Sequence, residues 1–333
     1  APSLLSEAGR VRLGELEERF AGTHPWAPGQ IRGGTVVSPV SSSEAKSLSD
    51  QEWIETIARF DSDDREFWEV DHIVGGASEL ARALGTLSRD QPDRFAQLFL
   101  RLDDQVHPSY PRELLRGLRG TRLQPETVLE VLEHASALDE ELDQALRSQI
   151  LGLIEDLADQ ELPGWVLDLV ADYATTSNDP GTDSWNRTSG PGQTDRYFGG
   201  DPYSNGINTT RGKAAECTAT LLGGHPERWD RLRPGIESLV ADDSTAVRSV
   251  ALRISIAHLQ NKEADRATSL FLQFLEHPED ALLRSPAVDR FLYYSIPDRF
   301  ALLRPVLTRM IQSQDSEVAQ TGSRLAALAA FSD

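Results

Sequence analysis

The stretches "PERWDRLRPGIESLVADDSTAVRSVALRISIAHL", residues 226–259, and "PDRFALLRPVLTRMIQSQDSEVAQTGSRLAALAA", residues 297–330, lie 71 residues apart and match in one ungapped frame. Pro226, Arg228, Trp229, Leu232, Arg233, Pro234 and Val247 of the first meet Pro297, Arg299, Phe300, Leu303, Arg304, Pro305 and Val318 of the second. A shorter echo, "QPDRFAQLFL" at 91–100, carries the same opening of Pro, acid, Arg and aromatic. Seventy-one residues is about two helix-turn-helix units of the armadillo or HEAT size class. Within the unit, a proline near a helix start or bend, an aspartate capping the second helix, and Val-Arg-x-x-Ala for close contact with a neighbour are what a stacked hairpin needs. The expected fold is all-α: an α-solenoid of HEAT/armadillo-like helical hairpins with one long irregular loop.

Upstream, apolar residues recur at three- and four-residue steps in six segments between 75 and 173: "ASELARALGTLSRD", "PDRFAQLFLRL", "YPRELLRGLRG", "PETVLEVLEHASAL", "ELDQALRSQILGLIEDLAD" and "LPGWVLDLVADYA". Sustained alternation of period two is missing, so no large sheet is expected. Leu4, Leu5, Val11, Leu13, Leu16 and Phe20 predict an N-terminal amphipathic helix, followed by a Pro/Gly/Ser-rich connection. Helix restarts after Ser49 or Asp50 as N-cap, with Trp53, Ile54, Ile57 and Phe60 on one face. Residues 174–212 are rich in Gly, Pro, Asn, Asp, Ser and Thr and read as a loop. The expected organisation is therefore 1–48 (N-terminal helix and irregular connection), 49–173 (first helical block), 174–210 (long aromatic and Gly-rich loop) and 211–333 (second HEAT-like block).

With 33 basic and 53 acidic residues the formal charge is −20, which opposes attraction to nucleic-acid phosphates and to anionic membrane surfaces. Nucleic acid is not the expected partner. Lys46, Lys213 and Lys262 are the only lysines, and the other 30 basic residues are arginine, a bias of the kind that high-GC bacterial coding produces. One cysteine, Cys217, rules out an intramolecular disulfide framework and suits a reducing cytoplasm. No apolar run reaches the length of a membrane span, and the N-terminus does not read as a signal peptide. A start at Ala1 is expected of a processed chain or, preferably, of a segment of a longer polypeptide.

Signatures of chemistry are missing. There is no phosphate-binding G-x-x-x-x-G-K-[ST], no G-x-G-x-x-G after a strand, no H-E-x-x-H and no G-x-S-x-G. The seven histidines are scattered, so neither a metal site nor a cofactor is expected. Cys217 lies among Ala214, Ala215, Thr218 and Leu221 and reads as a small packed hydrophobe. Trp185, Tyr197, Phe198 and Tyr203 of the loop suit a recognition surface, or equally a cap folded over the array's apolar edge. Arg112, Arg116 and Arg119 form a basic stripe that could clamp an acidic ligand, or a solvated face paired with Asp103, Asp104 and Glu113. "NGINTTRGKAAECTATLL", residues 205–222, is a loop-to-helix junction, with Asn208 and Arg211 at its turn, Thr209 or Thr210 as N-cap and Gly212 permitting close helix approach. Arg211 and Ala214 recur 37 residues later as Arg248 and Ala251.

"VVSPVSSSEAKSLSDQEWIETIARFDSD", residues 36–63, resembles a stretch that lies after the NTPase core in large bacterial ATP-binding proteins of the STAND class. "GGASELARALGTLSRDQPDRFAQLFLRLDDQVHPSYPRELLRGL" is similar to the helices that follow there, and "GINTTRGKAAECTATLL" to their N-[ST]-x-R-G-x-A-A-E helix start. Thr210 and Cys217 depart from that pattern, where an apolar residue and Ala are usual. The resemblance implies a C-terminal helical-repeat sensor region of a STAND NTPase, a class that includes antiphage defence proteins. It implies a protein ligand, a phage protein among the candidates, and upstream domains of the same polypeptide as further partners. A free-standing helical-repeat adaptor is the alternative.

Overall fold

Proline, serine and threonine begin most of the helices, and apolar residues at helical spacing decide which face of each is buried. The computed structural model describes residues 36–63, 73–142, 145–180, 202–276 and 280–330, with Glu7, Val11 and the strand residues 188–189 and 193–194. After α1 (Ser42–Ser47) and α2 (Asp50–Arg59), the six periodic segments become α3 (Ala77–Asp90), α4 (Pro92–Phe99), α5 (Ser109–Leu118), α6 (Pro125–Glu141), α7 (Arg147–Asp156) and α8 (Gly164–Thr176). Then follow α9 (Pro202–Gly206), α10 (Thr210–Leu222), α11 (Trp229–Val240), α12 (Thr245–Gln260), α13 (Ala264–Phe274), α14 (Pro286–Ile311) and α15 (Ser316–Ala330). The expected N-terminal helix falls outside the described residues except at Glu7 and Val11, both helical. Two stretches read as irregular contain helix, namely α1 inside 1–48 and α9 inside 174–210.

The chain forms two compact units, Ala1–Val37 with Arg65–Val74, and Ser38–Asp64 with Gly75–Asp333. In the first, β1 (Val36–Val37) pairs in parallel with β2 (Ile73–Val74). The second is helical apart from a two-residue antiparallel pair, β3 (Thr188–Ser189) with β4 (Gln193–Thr194). Among the described residues strand is confined to these short pairs, and the protein is all-α.

Helices of the larger unit stack in two rows. In the first row α3 packs on α5, α5 on α7, α7 on α10, α10 on α12, α12 on α14 and α14 on α15; in the second, α4 packs on α6, α8 on α11 and α11 on α13. One apolar cluster runs from Trp53 through Phe95, Leu114, Ile150, Val170, Leu221, Ile254 and Phe291 to Leu325. Close crossings use small residues: a Cβ on Gly85 of α3 would stand 2.6 Å from the Glu113 carbonyl oxygen of α5.

The repeat is also written in hydrogen bonds. Arg211 Nε donates to Asp242 Oδ2 at 2.7 Å, 31 residues on, and Arg284 pairs with Asp315 at the same separation. Asn261 Nδ2 donates to the Leu222 carbonyl (2.7 Å) and Arg309 Nη1 to the Leu275 carbonyl (3.0 Å), so free helix ends are satisfied from about one unit away. The arginine of the Pro-acid-Arg-aromatic opening reaches back each time: Arg94 to Asp50 (2.7 Å) and the Leu48 carbonyl (2.6 Å), Arg228 to the Ala158 carbonyl (2.7 Å), and Arg299 to Asp265.

One N-cap expectation is narrowed and another changes. Thr209 rather than Thr210 caps α10. At α12 the cap is Ser244, whose Oγ accepts from Val247 N at 3.4 Å, while Asp242 accepts from Ser244 N at 2.8 Å and from Arg211. Asp315, the counterpart of Ser244 in the later copy, does take the capping role, accepting from Glu317 N (3.0 Å) and Val318 N (3.4 Å). The repeat's proline marks the helix break: Pro226 opens a 3-10 turn, and beside Pro297 the chain leaves helical geometry at Arg299 (φ −135, ψ 19) inside α14.

Asp242 is 4% exposed at its side chain and Arg211 14%, whereas Arg231 and Asp168 form an outer pair at 59% and 51%. Asp242→Ala, which strands Arg211, is expected to lower unfolding free energy by about 3 kcal/mol, and Arg231→Ala by less than about 1 kcal/mol; urea denaturation of the two variants checks the contrast.

Candidate functional site

The junction at 205–222 holds four helices together. Asn208 Nδ2 donates to the Ser204 carbonyl (2.7 Å), Thr209 Oγ1 accepts from Gly212 N (3.1 Å), and Arg211 Nη1 donates to the Ser177 carbonyl (2.9 Å) beyond the end of α8. Thr210 N donates to Asp179 Oδ2 at 2.7 Å. A side chain on Gly212 would run into the Gly206 carbonyl, so the small residue lets α9 fold back on the start of α10. This places Tyr203 of α9 beside α12.

There Tyr203 Oη accepts from Arg253 Nη1 at 3.1 Å. Arg253 Nη1 also donates to Glu216 Oε1 (2.6 Å), Lys213 Nζ meets Glu216 (2.8 Å) and Glu155 (3.0 Å), and Arg119 reaches Glu155 at 3.5 Å. The result is a charge ladder along the first row, from the end of α5 through α7 and α10 to α12. Farther along, Arg324 of α15 pairs with Asp289 of α14. Burial pushes the Glu155 carboxyl up, and Lys213 offsets only part of that. Burial pushes Glu216 up too, but hydrogen bonds and charge from Lys213 and Arg253 outweigh it and hold it below the usual range. Burial alone would lower the Lys213 amine, yet Glu216 and Glu155 raise it above its ordinary value.

Next to this ladder is an open groove of about 470 Å³ whose lining includes Tyr203, Thr220, Arg253, Ile256, Gln260 and Arg290. Arg290 is exposed and makes no ion pair among the described residues. Three and four residues on, on the same face of α14, Tyr293 and Tyr294 are 51% and 59% exposed, with rings edge to face at 5.2 Å. Tyrosine and arginine around a concavity give anchoring area and directed hydrogen bonds to a protein surface. They offer no nucleophile with an adjacent base.

Of the residues singled out in the sequence, Tyr203 lines this groove. Trp185, Tyr197 and Phe198 lie outside the described residues. Arg112, Arg116 and Arg119 do not act as one stripe: Arg112 donates to Ser109 Oγ (3.3 Å), Arg116 pairs with Glu113, and Arg119 turns away to Glu155. Cys217 is fully buried, and burial foremost pushes its thiol well above the ordinary value, so it packs as a small hydrophobe. Sequence reasoning missed Arg253, Arg290, Tyr293 and Tyr294. Their signals were a Glu216-to-Arg253 spacing equal to the 37-residue recurrence, and a tyrosine doublet inside an otherwise apolar helical run. Among the described residues, no group of three or more His, Cys, Asp or Glu side chains is placed to hold a metal ion, and no helix is long and apolar enough to cross a membrane.

No family model matches the chain. No curated protein matches it either. A crystal structure of an engineered protein is similar to 87% of this chain and 71% of its own, at 14% identity and a TM-score of 0.44.

The Lys213 side chain is 14% exposed between two carboxylates. Lys213→Met is expected to cost about 2–4 kcal/mol at neutral pH by removing the cation between Glu155 and Glu216, which leaves Arg119 and Arg253 to compensate them from either side. The raised lysine pKa makes its contribution complete below the unfolded value of 10.5 and lost above the folded one. Protonating the carboxylates removes their need for it, so the deficit should shrink as pH falls through 4.5, which thermal melts from pH 7 to 4 would show.

Proposed function

We propose that this chain is a non-catalytic recognition region that binds a protein ligand through the groove of Tyr203, Arg253 and Arg290 and the adjoining Tyr293–Tyr294 face, as the sensor part of a larger bacterial STAND NTPase. The observation that carries the binding role is Arg290, an arginine with no ion pair among the described residues, set between a groove tyrosine and two exposed ones. The STAND assignment rests on the ordered resemblance of 36–63, 75–118 and 206–222. In this reading the region works in the cytoplasm. Ligand seated across the first row of helices relieves autoinhibition of an upstream nucleotide-binding module, and a phage protein is the ligand class that antiphage defence requires. Of the 174–210 stretch, Tyr203 contributes to the groove's lining.

Two measurements separate the parts of this proposal. The reading frame around the chain is expected to encode a P-loop module upstream; a frame without one overturns the NTPase assignment and leaves a free-standing adaptor. In cells carrying the complete gene, Arg290→Glu with Tyr293→Ala is expected to weaken ligand binding about 100-fold and abolish phage protection without changing the melting temperature. Full protection by that variant overturns the groove.

A further inference from the structure

In a chain with 53 acidic and 33 basic residues, the charged residues lining the groove are Arg253 and Arg290, with no carboxylate among its described lining. The apolar part of that lining is small-featured. Ala219 of α10, Ala257 of α12 and Ala287 of α14 contribute to it, beside Ile256. Three successive helices of the first row therefore build one depression, with α12 at its centre.

Exposed charge is sorted between the two rows. In the first row the cation is the outer member of the pair: Arg82 over Glu79, with side chains 64% and 7% exposed, and Arg116 over Glu113, at 54% and 9%. Arg119 and Arg253 likewise stand more open than Glu155 and Glu216. The second row reverses this order. Its α6 and α8 contain neither lysine nor arginine and expose Glu126, Glu130, Glu133, Asp168 and Asp172. On α13, Asp265 is 92% exposed beside the half-buried Arg299.

The groove lies where the first row's surplus of positive charge is not matched. The ladder of Arg119, Glu155, Lys213, Glu216 and Arg253 sets three cations against two carboxylates and reaches the groove with a cation. Arg290 adds a guanidinium that makes no ion pair among the described residues. A carboxylate entering here gains charge-assisted hydrogen bonds without displacing an acid, whereas a basic side chain meets like charge. A nucleic-acid strand carries its phosphates beyond the groove, where the net charge of −20 opposes it.

We infer that the groove selects an acidic segment of a protein partner, in which an Asp or Glu carboxylate bonds Arg290 and Arg253 and a neighbouring apolar side chain rests on the alanines. This rests on the reading of the groove as a protein-recognition site and adds the chemistry of what is recognised there. The probe is a fluorescein-labelled peptide in which Glu alternates with Phe and Ser, capped at both ends, titrated against the full chain by anisotropy beside the same peptide with Gln for every Glu. Saturable binding of the Glu peptide is expected, about tenfold tighter than that of the Gln peptide and weakened about tenfold by Arg290→Glu. Added salt weakens it further, and Arg231→Glu on the second row leaves it unchanged. Both arginines are exposed, and unchanged melting confirms that each variant is folded.

Equal affinity for the Gln peptide, lost in the Arg290→Glu with Tyr293→Ala variant, overturns the acidic selection while the groove remains a protein site. Absence of saturable binding by either peptide overturns it as well, and phage protection by the double variant then decides whether the groove falls with it. Equal weakening by Arg231→Glu overturns the inference, because the attraction is then general. So does a single-stranded oligonucleotide that displaces the Glu peptide at lower concentration than unlabelled Glu peptide does, because the groove then prefers phosphate.

Discussion

The larger unit depends on arginines that cross from one helical hairpin to another. A helix end leaves carbonyls without partners, and a turn between helices leaves carboxylates half in water. Arg211, Arg228, Arg284, Arg299 and Arg309 satisfy such groups about one or two hairpins away. Guanidinium, with five donors in a planar fork, can bond a carbonyl and a carboxylate at once, which an ammonium group cannot do in that geometry. Arg211 does so with Ser177 and Asp242. The arginine excess, read in the sequence as a coding bias, is at these positions a structural requirement.

These ties explain why the 71-residue frame was legible. Its matched positions include the residues that must recur if each hairpin is to grip another: the proline that breaks the helix, the arginine behind it, and the valine under the second helix. The all-α class followed from the same periodicity. Less legible was anything set by the meeting of distant helices. Arg119 looked like part of a stripe with Arg112 and Arg116 because spacing shows which residues share a helix, while Glu155, which draws it away, belongs to α7. Ser244 was passed over as a cap in favour of the neighbouring aspartates because both residue types favour that position, and only Arg211 decides which one faces outward.

The groove follows from the same architecture. The junction at Thr209 and Gly212 presses α9 against the row, Tyr203 then meets Arg253, and Arg253 completes a ladder already required to compensate Lys213 and Glu155. Arg290 and the tyrosine doublet were hidden in the sequence because a helix of an array has two kinds of exposed face, one turned to solvent and one to the row's open side. Apolar periodicity marks only the buried stripe.

Lys213 has a practical consequence of another kind. Of the three lysines, Lys46 on α1 and Lys262 in the turn after α12 are exposed, while Lys213 is enclosed by Glu155 and Glu216. Within these 333 residues, reagents that acylate primary amines therefore meet two exposed lysine side chains, both away from the groove's lining. Coupling through them would tether the protein in few orientations and leave the groove's lining unmodified.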